Sequence, residues 1–163
     1  MFIDGRKVLD GTIVETDLAI IGGGAAGITI AREMIGQGFS VTLIESGGFE
    51  FEPETQDLYE GESVGVSYPL TSSRLRYFGG STNHWGGWCR PLEPIDFEKR
   101  DWVPYSGWPV TRADMNPFYV RACEVCQINS TAFDDAAAWE AKGKPMPLAG
   151  DEVVTRFFLY SPP

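Results

Sequence analysis

The sequence predicts an α/β fold. Three observations carry the prediction: an apolar run that stops at glycines, a helical stretch directly after them, and a second apolar run ending in a carboxylate. Thr16 to Ile21 is short, mostly apolar and closed by Gly22-Gly23-Gly24, the pattern of a buried strand. Ala25 to Gln37 reads as a helix, with Gly27, Ala31, Met34 and Ile35 recurring on one face. Gly38 stands where a helix-ending glycine belongs. Ser40 to Glu45 reads as a second strand, filled by Val41, Leu43 and Ile44. Two strands joined by a helical crossover pair in parallel. Ahead of them, Ile3-Asp4-Gly5-Arg6 reads as a tight turn centred on Asp-Gly.

Beyond the second strand the charge segregates. Glu45 to Glu62 holds seven acids and no Lys or Arg, and reads as a solvated loop apart from Glu45. Ser63 to Leu92 holds no acid but three arginines, Arg74, Arg76 and Arg90, and the single histidine, His84. Leu92 to Pro109, rich in proline and tryptophan, reads as loop. Thr111 to about Ile128 reads as a helix, with Asp114 completing a capping box and Pro117 placed in its first turn. A short helix over Asp134 to Lys142, ended by Gly143, and a strand over Val153 to Tyr160 follow.

Composition narrows the function. A chain of 163 residues is about one ordinary domain. Thirteen Lys and Arg against 23 Asp and Glu leave a net charge of −10, which argues against nucleic acid as a partner. No apolar stretch approaches the roughly 20 residues of a membrane span. The first residues lack the basic-then-apolar pattern of a secretory signal, and three cysteines make no disulfide framework, so a cytoplasmic setting is expected. Cys123-x-x-Cys126 lies in a helical pattern without further ligands and reads as packing, so no metal site is expected. The tryptophans at 85, 88, 102, 108 and 139 also read as packing, with Trp85 the exception.

Two motifs carry chemistry. Gly22-Gly23-Gly24-Ala25-Ala26-Gly27 is a G-x-G-x-x-G between strand and helix. Gly22 permits the turn, Gly24 lets a pyrophosphate approach the backbone, and Gly27 lets the helix pack close to the sheet. Glu45 ends the next strand 21 residues after Gly24, where a carboxylate reaches a ribose. This reads as a Rossmann-like dinucleotide site, with a glycine-rich turn that holds no ligand as the alternative, and the motif by itself does not separate FAD from NAD. The second motif runs from Arg74 to Arg90, with Gly79-Gly80 and Gly86-Gly87 around Ser81, Thr82, Asn83 and His84. Its glycines allow close approach to a flat ligand, and its arginines supply a local positive site.

The fingerprint, Glu45-Ser46-Gly47-Gly48, and Gly79 to Gly87 together resemble the glucose–methanol–choline (GMC) family of FAD oxidoreductases, in its bacterial sugar-dehydrogenase and pyranose-oxidase-like branch. The resemblance runs from about Thr16 to Pro163, with Tyr105 to Pro109 and Phe157 to Pro163 included. It implies a Rossmann-like FAD-binding βαβ unit with a loop-rich extension, incomplete relative to the family. Residues 1–92 would form the N-terminal part of the FAD domain, and 93–163 an extension and the start of the substrate domain. The cofactor residues it implies are Gly22, Gly24, Ala25, Ala26, Gly27, Glu45, Ser46, Arg76, Gly79, Gly80, Ser81, Asn83, His84, Trp85 and Gly86. Some family members bond a histidine at the position of His84 covalently to the flavin 8α-methyl carbon. Others do not, which leaves a bond and a simple contact as alternatives. The implied substrate is a sugar or polyol, oxidised at a CH–OH group by hydride transfer to flavin. The family's catalytic histidine lies far C-terminal, and this chain has one histidine, so an N-terminal piece without the base is expected. An FAD-binding piece without activity of its own and an NAD(P)-dependent reductase are the alternatives. The Arg74-to-Arg90 block argues against the reductase.

Overall fold

A computed structural model describes residues 1–129, 133 and 156–162. The chain divides into two compact units, residues 1–85 and 86–163. Both mix helices with small sheets, an α/β composition.

In the first unit β1 (Leu18–Ile21) and β2 (Val41–Ile44) pair in parallel, Leu18 opposite Val41 through Ile21 opposite Ile44. α1 (Ala25–Glu33) makes the crossover. The ladder runs one residue further at each end, through Leu18 N–H to the Ser40 carbonyl and Gly22 N–H to the Ile44 carbonyl. Asp17 fixes its start, its carboxylate accepting from the Ser40 amide at 2.8 Å and hydroxyl at 2.6 Å. Ile20 is the buried side chain of β1. α1 ends earlier than its apolar pattern predicts. The Met34 and Ile35 amides bond back three residues, to Ala31 and Arg32, and Gly36 and Gly38 turn the chain at positive φ. Ile35 therefore leaves the helix face and stands exposed. The Asp4-Gly5 turn is also a correction. Asp4 caps a short 3-10 turn, Gly5–Lys7, by accepting from the Arg6 amide.

The acidic stretch is not uniformly solvated loop. It forms α2 (Pro53–Gln56), with Pro53 in the first turn, and then a 3-10 turn, Asp57–Tyr59. Gln56 is buried. α3 (Leu70–Ser73) and a 3-10 turn, Gly80–His84, complete the unit.

In the second unit β3 (Trp88–Cys89) pairs antiparallel with β4 (Leu159–Tyr160). α4 (Pro94–Phe97) interrupts the expected loop, started by a Glu93–Asp96 capping box. α5 (Arg112–Val125) begins as predicted, Thr111 and Asp114 forming a reciprocal capping box. Pro117 lies inside α5 rather than in its first turn. Without an N–H, it cannot bond the Ala113 carbonyl four residues back. Cys123 packs with Phe133 and Leu159, and Ile128 lies against them. The Cys89 thiol is pushed up to about 11, by burial first and then by its neighbour Cys126. Trp102 and Trp108 are exposed rather than packed as expected, Trp88 is exposed but keeps ring contacts with Phe158 and Tyr160, and Trp85, the expected exception, is exposed as well. An indole is buried only where enough neighbours enclose it, and the buried cluster near β4 is built from smaller groups. The expected helix over Asp134 to Lys142 with Gly143, Trp139 and most of the expected Val153 strand lie outside the described residues. Among those described, no helix is long and apolar enough to cross a membrane.

Candidate functional site

The two glycine motifs are far apart in sequence and meet in the first unit. The Gly79 N–H donates to the Gly23 carbonyl at 2.8 Å, and Gly24 and Gly79 pair as an isolated parallel bridge. A Cβ added to Gly80 would stand 3.2 Å from the Gly24 Cα. Gly79 and Gly80 adopt φ of +96° and +57°, so the chain turns where it touches the first loop, in a conformation glycine takes readily. The Phe78 N–H donates to the Gly48 carbonyl at 2.9 Å. A Cβ on Gly47 would overlap the Arg76 carbonyl. Segment 76–80 thus lies across both loops that leave the C-terminal ends of β1 and β2.

Within the first loop the glycines have separate roles. A Cβ on Gly27 would overlap the Gly22 carbonyl oxygen and lie 3.2 Å from Ile20 Cγ2, so α1 seats directly on the end of β1. Gly22 and Gly24 face open space, with no atom within 4 Å of an added Cβ. Gly24 caps α1 without a side-chain hydrogen bond, and the exposed Ala25 and Ala26 follow. The first amides of a helix have no intrahelical partners and carry the positive end of its dipole. Open space beside such a turn suits a phosphate.

Glu45 follows β2 as expected, and its carboxylate turns onto the loops. Oε2 accepts from the Gly23 N–H at 2.5 Å. Oε1 accepts from the Ser46 N–H at 2.8 Å, the Ser46 hydroxyl at 3.1 Å and the Gly47 N–H at 3.2 Å. Burial alone would raise its pKa. The bonds from Gly23, Gly47 and Ser46 outweigh burial and hold the carboxyl below the usual glutamate range. Glu45 is therefore an anionic brace between the loops after β1 and β2, a role that spacing alone did not reveal.

Comparison with known proteins adds chemistry to this geometry. The chain is 32% identical over 120 residues to the 6'''-hydroxyparomomycin C oxidase of Streptomyces lividus, covering 63% of this chain and 21% of that protein. It is 31% identical over 120 residues to the paromamine 6'-oxidase of Streptomyces fradiae, with the same coverage. It is 26% identical over 133 residues to the 2-methyl-1,2-propanediol dehydrogenase of Mycolicibacterium austroafricanum, covering 64% of this chain and 23% of that one. This chain is similar to oxidases and dehydrogenases. It spans about a fifth of the length of these curated relatives. No family model and no solved structure matches it.

The remaining residues expected at the site are distributed as follows. Ser81, Thr82 and Asn83 secure their own turn. Ser81 Oγ accepts from the Leu75 amide, the Thr82 hydroxyl donates to the Gly79 carbonyl, and the Asn83 amide donates to the Phe78 and Gly80 carbonyls at 2.9 and 3.1 Å. His84 ends this turn, exposed, and Trp85 and Gly86 follow, also exposed. The three arginines divide between the two units. Arg74 and Arg76 place their guanidiniums 4.6 and 4.9 Å from the centre of the Tyr59 ring. Arg90 belongs to the second unit, where Glu93 neutralises it at 2.5 Å and the Phe133 and Phe157 carbonyls accept from it. Among the described residues no group of His, Cys, Asp and Glu is arranged to hold a metal ion. Sequence reasoning missed Tyr59, Phe78 and Gln56. Phe78 lies 3.2 Å from a Cβ position on Gly23 and continues a ring contact from Phe2 through Phe49.

Proposed function

We propose that this chain is the dinucleotide-binding, N-terminal part of an FAD-dependent oxidoreductase of the GMC type, which oxidises a CH–OH group of a sugar or diol. The observation that carries the reading is the meeting of the two glycine segments at the C-terminal ends of parallel strands, beside the open first turn of α1. That end of an α/β sheet is where ligands bind. The names of the three relatives support an oxidation, of a diol in one case.

The residues present fit the cofactor. Gly22 and Gly24 leave space, and the amides of Ala25, Ala26 and Gly27 offer donors to a pyrophosphate. Glu45, anionic at neutral pH, and Ser46 face the ribose in this reading, and Arg76 orders the segment that leads to Gly79. Gly79, Gly80, Ser81 and Asn83 form a rigid turn for the flavin side, with His84, Trp85 and Gly86 beyond it. When bound, FAD supplies a two-electron acceptor for hydride, and the protein binds and orients it. His84 either bonds to the flavin methyl carbon or contacts the ring. With the one histidine assigned to the flavin, the base that takes the hydroxyl proton belongs to another part of the polypeptide.

The test is cofactor titration of the full-length polypeptide. Flavin absorbance on purification, or tighter uptake of FAD than of NAD, supports the reading. Uptake of NAD without FAD refutes it. Acid precipitation and mass spectrometry of the peptide containing His84 separate a bond from a contact.

A further inference from the structure

Gln56 is the one buried polar side chain among the described residues, and it makes no contact that a dinucleotide site requires. Three hydrogen bonds hold its amide. Nε2 donates to the Thr71 and Arg74 carbonyls, each at 2.6 Å, and Oε1 accepts from the Arg76 N–H at 2.9 Å. Two donors face two carbonyls and one acceptor faces an amide, so the orientation of the group is fixed by its partners. The segment it holds belongs to no sheet, so a side chain supplies there what a neighbouring strand would otherwise supply. Tyr59, one turn further on, adds a ring over which Arg74 and Arg76 lie. The held segment leads directly into Phe78 and Gly79, whose amides bond the Gly48 and Gly23 carbonyls.

We infer that Gln56 is a positioning residue. It fixes the backbone at 71, 74 and 76 so that Gly79 and Gly80 lie against Gly23 and Gly24, and it thereby sets how tightly the dinucleotide is held. The last clause rests on the proposed function; the first does not. A hydrophobic residue of similar volume at 56 would leave two carbonyls and one amide without partners, and the segment would open to reach water. Glutamate at 56 is the more discriminating variant. Ionised, it repels the Thr71 and Arg74 carbonyls. Protonated, it regains one donor while still accepting from the Arg76 amide. Burial favours that neutral form and raises its pKa.

The experiment is amide hydrogen exchange together with FAD affinity, on the full-length polypeptide and its Gln56→Met and Gln56→Glu variants. In Gln56→Met, exchange at Arg76 and Gly79 is expected to rise about tenfold or more, with a comparable loss of FAD affinity. Exchange at Leu18 and Gly22, in the β1–β2 ladder, stays unchanged. Gln56→Glu is expected to match this at pH 8 and to recover toward wild type as the pH falls toward 5. Unchanged exchange at Gly79, loss of protection at Leu18 and Gly22 as well, or absence of recovery in Gln56→Glu each overturns the positioning role. Raised exchange at Gly79 with undiminished FAD affinity overturns its link to the cofactor. If exchange rises as expected but the wild type takes up no FAD, the proposed function fails and the loop-positioning role stands.

Discussion

Substituting alanine at Gly27 and at Gly24, three residues apart in one motif, is expected to give opposite results. At Gly27 the new methyl group would overlap the Gly22 carbonyl oxygen, a backbone atom that cannot rotate away, and would press on Ile20 Cγ2 at 3.2 Å. Overpacking of this kind costs about 1–3 kcal/mol, and the rigid neighbour puts Gly27 at the upper end of that range. Alanine recovers about 1 kcal/mol through its better helix propensity. The clash wins, leaving about 2 kcal/mol of destabilisation, roughly a thirtyfold shift toward the unfolded state. At Gly24 an added Cβ meets nothing within 4 Å, and the backbone there is extended at φ −81°. Its stability cost is the weaker capping by alanine, about 1 kcal/mol or less. In the proposed reading the methyl group instead occupies the space of the pyrophosphate, so FAD affinity is expected to fall at least tenfold while the fold persists. Urea denaturation reads the first effect and FAD titration the second. If Gly27→Ala unfolds at the wild-type urea concentration, α1 does not seat on Gly22 as described. If Gly24→Ala binds FAD as the wild type does, the space beside it is not the ligand's.

Three further outcomes follow from particular residues. Glu45 is held below its usual pKa by the loop amides, so its contribution is complete above the unfolded value near 4.3 and disappears as pH falls through the lower folded value. Glu45→Gln should therefore be less stable than wild type at pH 7 by about 1 kcal/mol, discounted for solvent exposure, and the difference in denaturation midpoints should shrink as the pH falls below the unfolded value and through the lower folded one. Pro117→Ala returns a donor to the Ala113 carbonyl on an exposed helix position, and should stabilise α5 by about 1–3 kcal/mol in thermal denaturation. Thr111→Ala removes the hydroxyl that bonds the Asp114 amide and carboxylate, and should cost about 1 kcal/mol by the same measurement.

What the sequence made legible is what is encoded over a few neighbouring residues. The apolar runs of the strand–helix–strand unit, the Gly22-to-Gly27 motif and the Thr111–Asp114 box are each written in short, local patterns. Boundaries were less legible. Nothing in the apolar pattern through Ile35 shows that Met34 and Ile35 bond back three residues rather than four. Gln56 was invisible for a different reason. It is a neutral amide among acids, and its partners are backbone groups 15 to 20 residues later, which have no residue-type signature. The Glu52-Pro53 start of α2 was the available signal for its helix. Arg90 was misgrouped because charge was counted along the sequence, whereas Glu93 three residues later neutralises it.

Glu45 joins these two kinds of information. Its position one residue past β2 is the basis for proposing it as a ribose ligand, and its bonds in the structure mark it as a brace. The two roles are compatible when the acceptor sites are counted. A carboxylate offers about two lone-pair directions on each of its oxygens. Oε1 accepts from the Ser46 amide, the Ser46 hydroxyl and the Gly47 amide, and is fully engaged. Oε2 accepts from the Gly23 amide alone. One direction on Oε2 is left for a ribose hydroxyl, on the atom that already holds the first glycine loop. A ligand hydroxyl there would bond to the brace without displacing it, so binding requires no rearrangement of the loops after β1 and β2. Preorganisation of this kind lowers the ordering cost of binding. The amides that lower its pKa reinforce the anionic form, which in the proposed reading is the charge state that would bond a ribose hydroxyl most strongly.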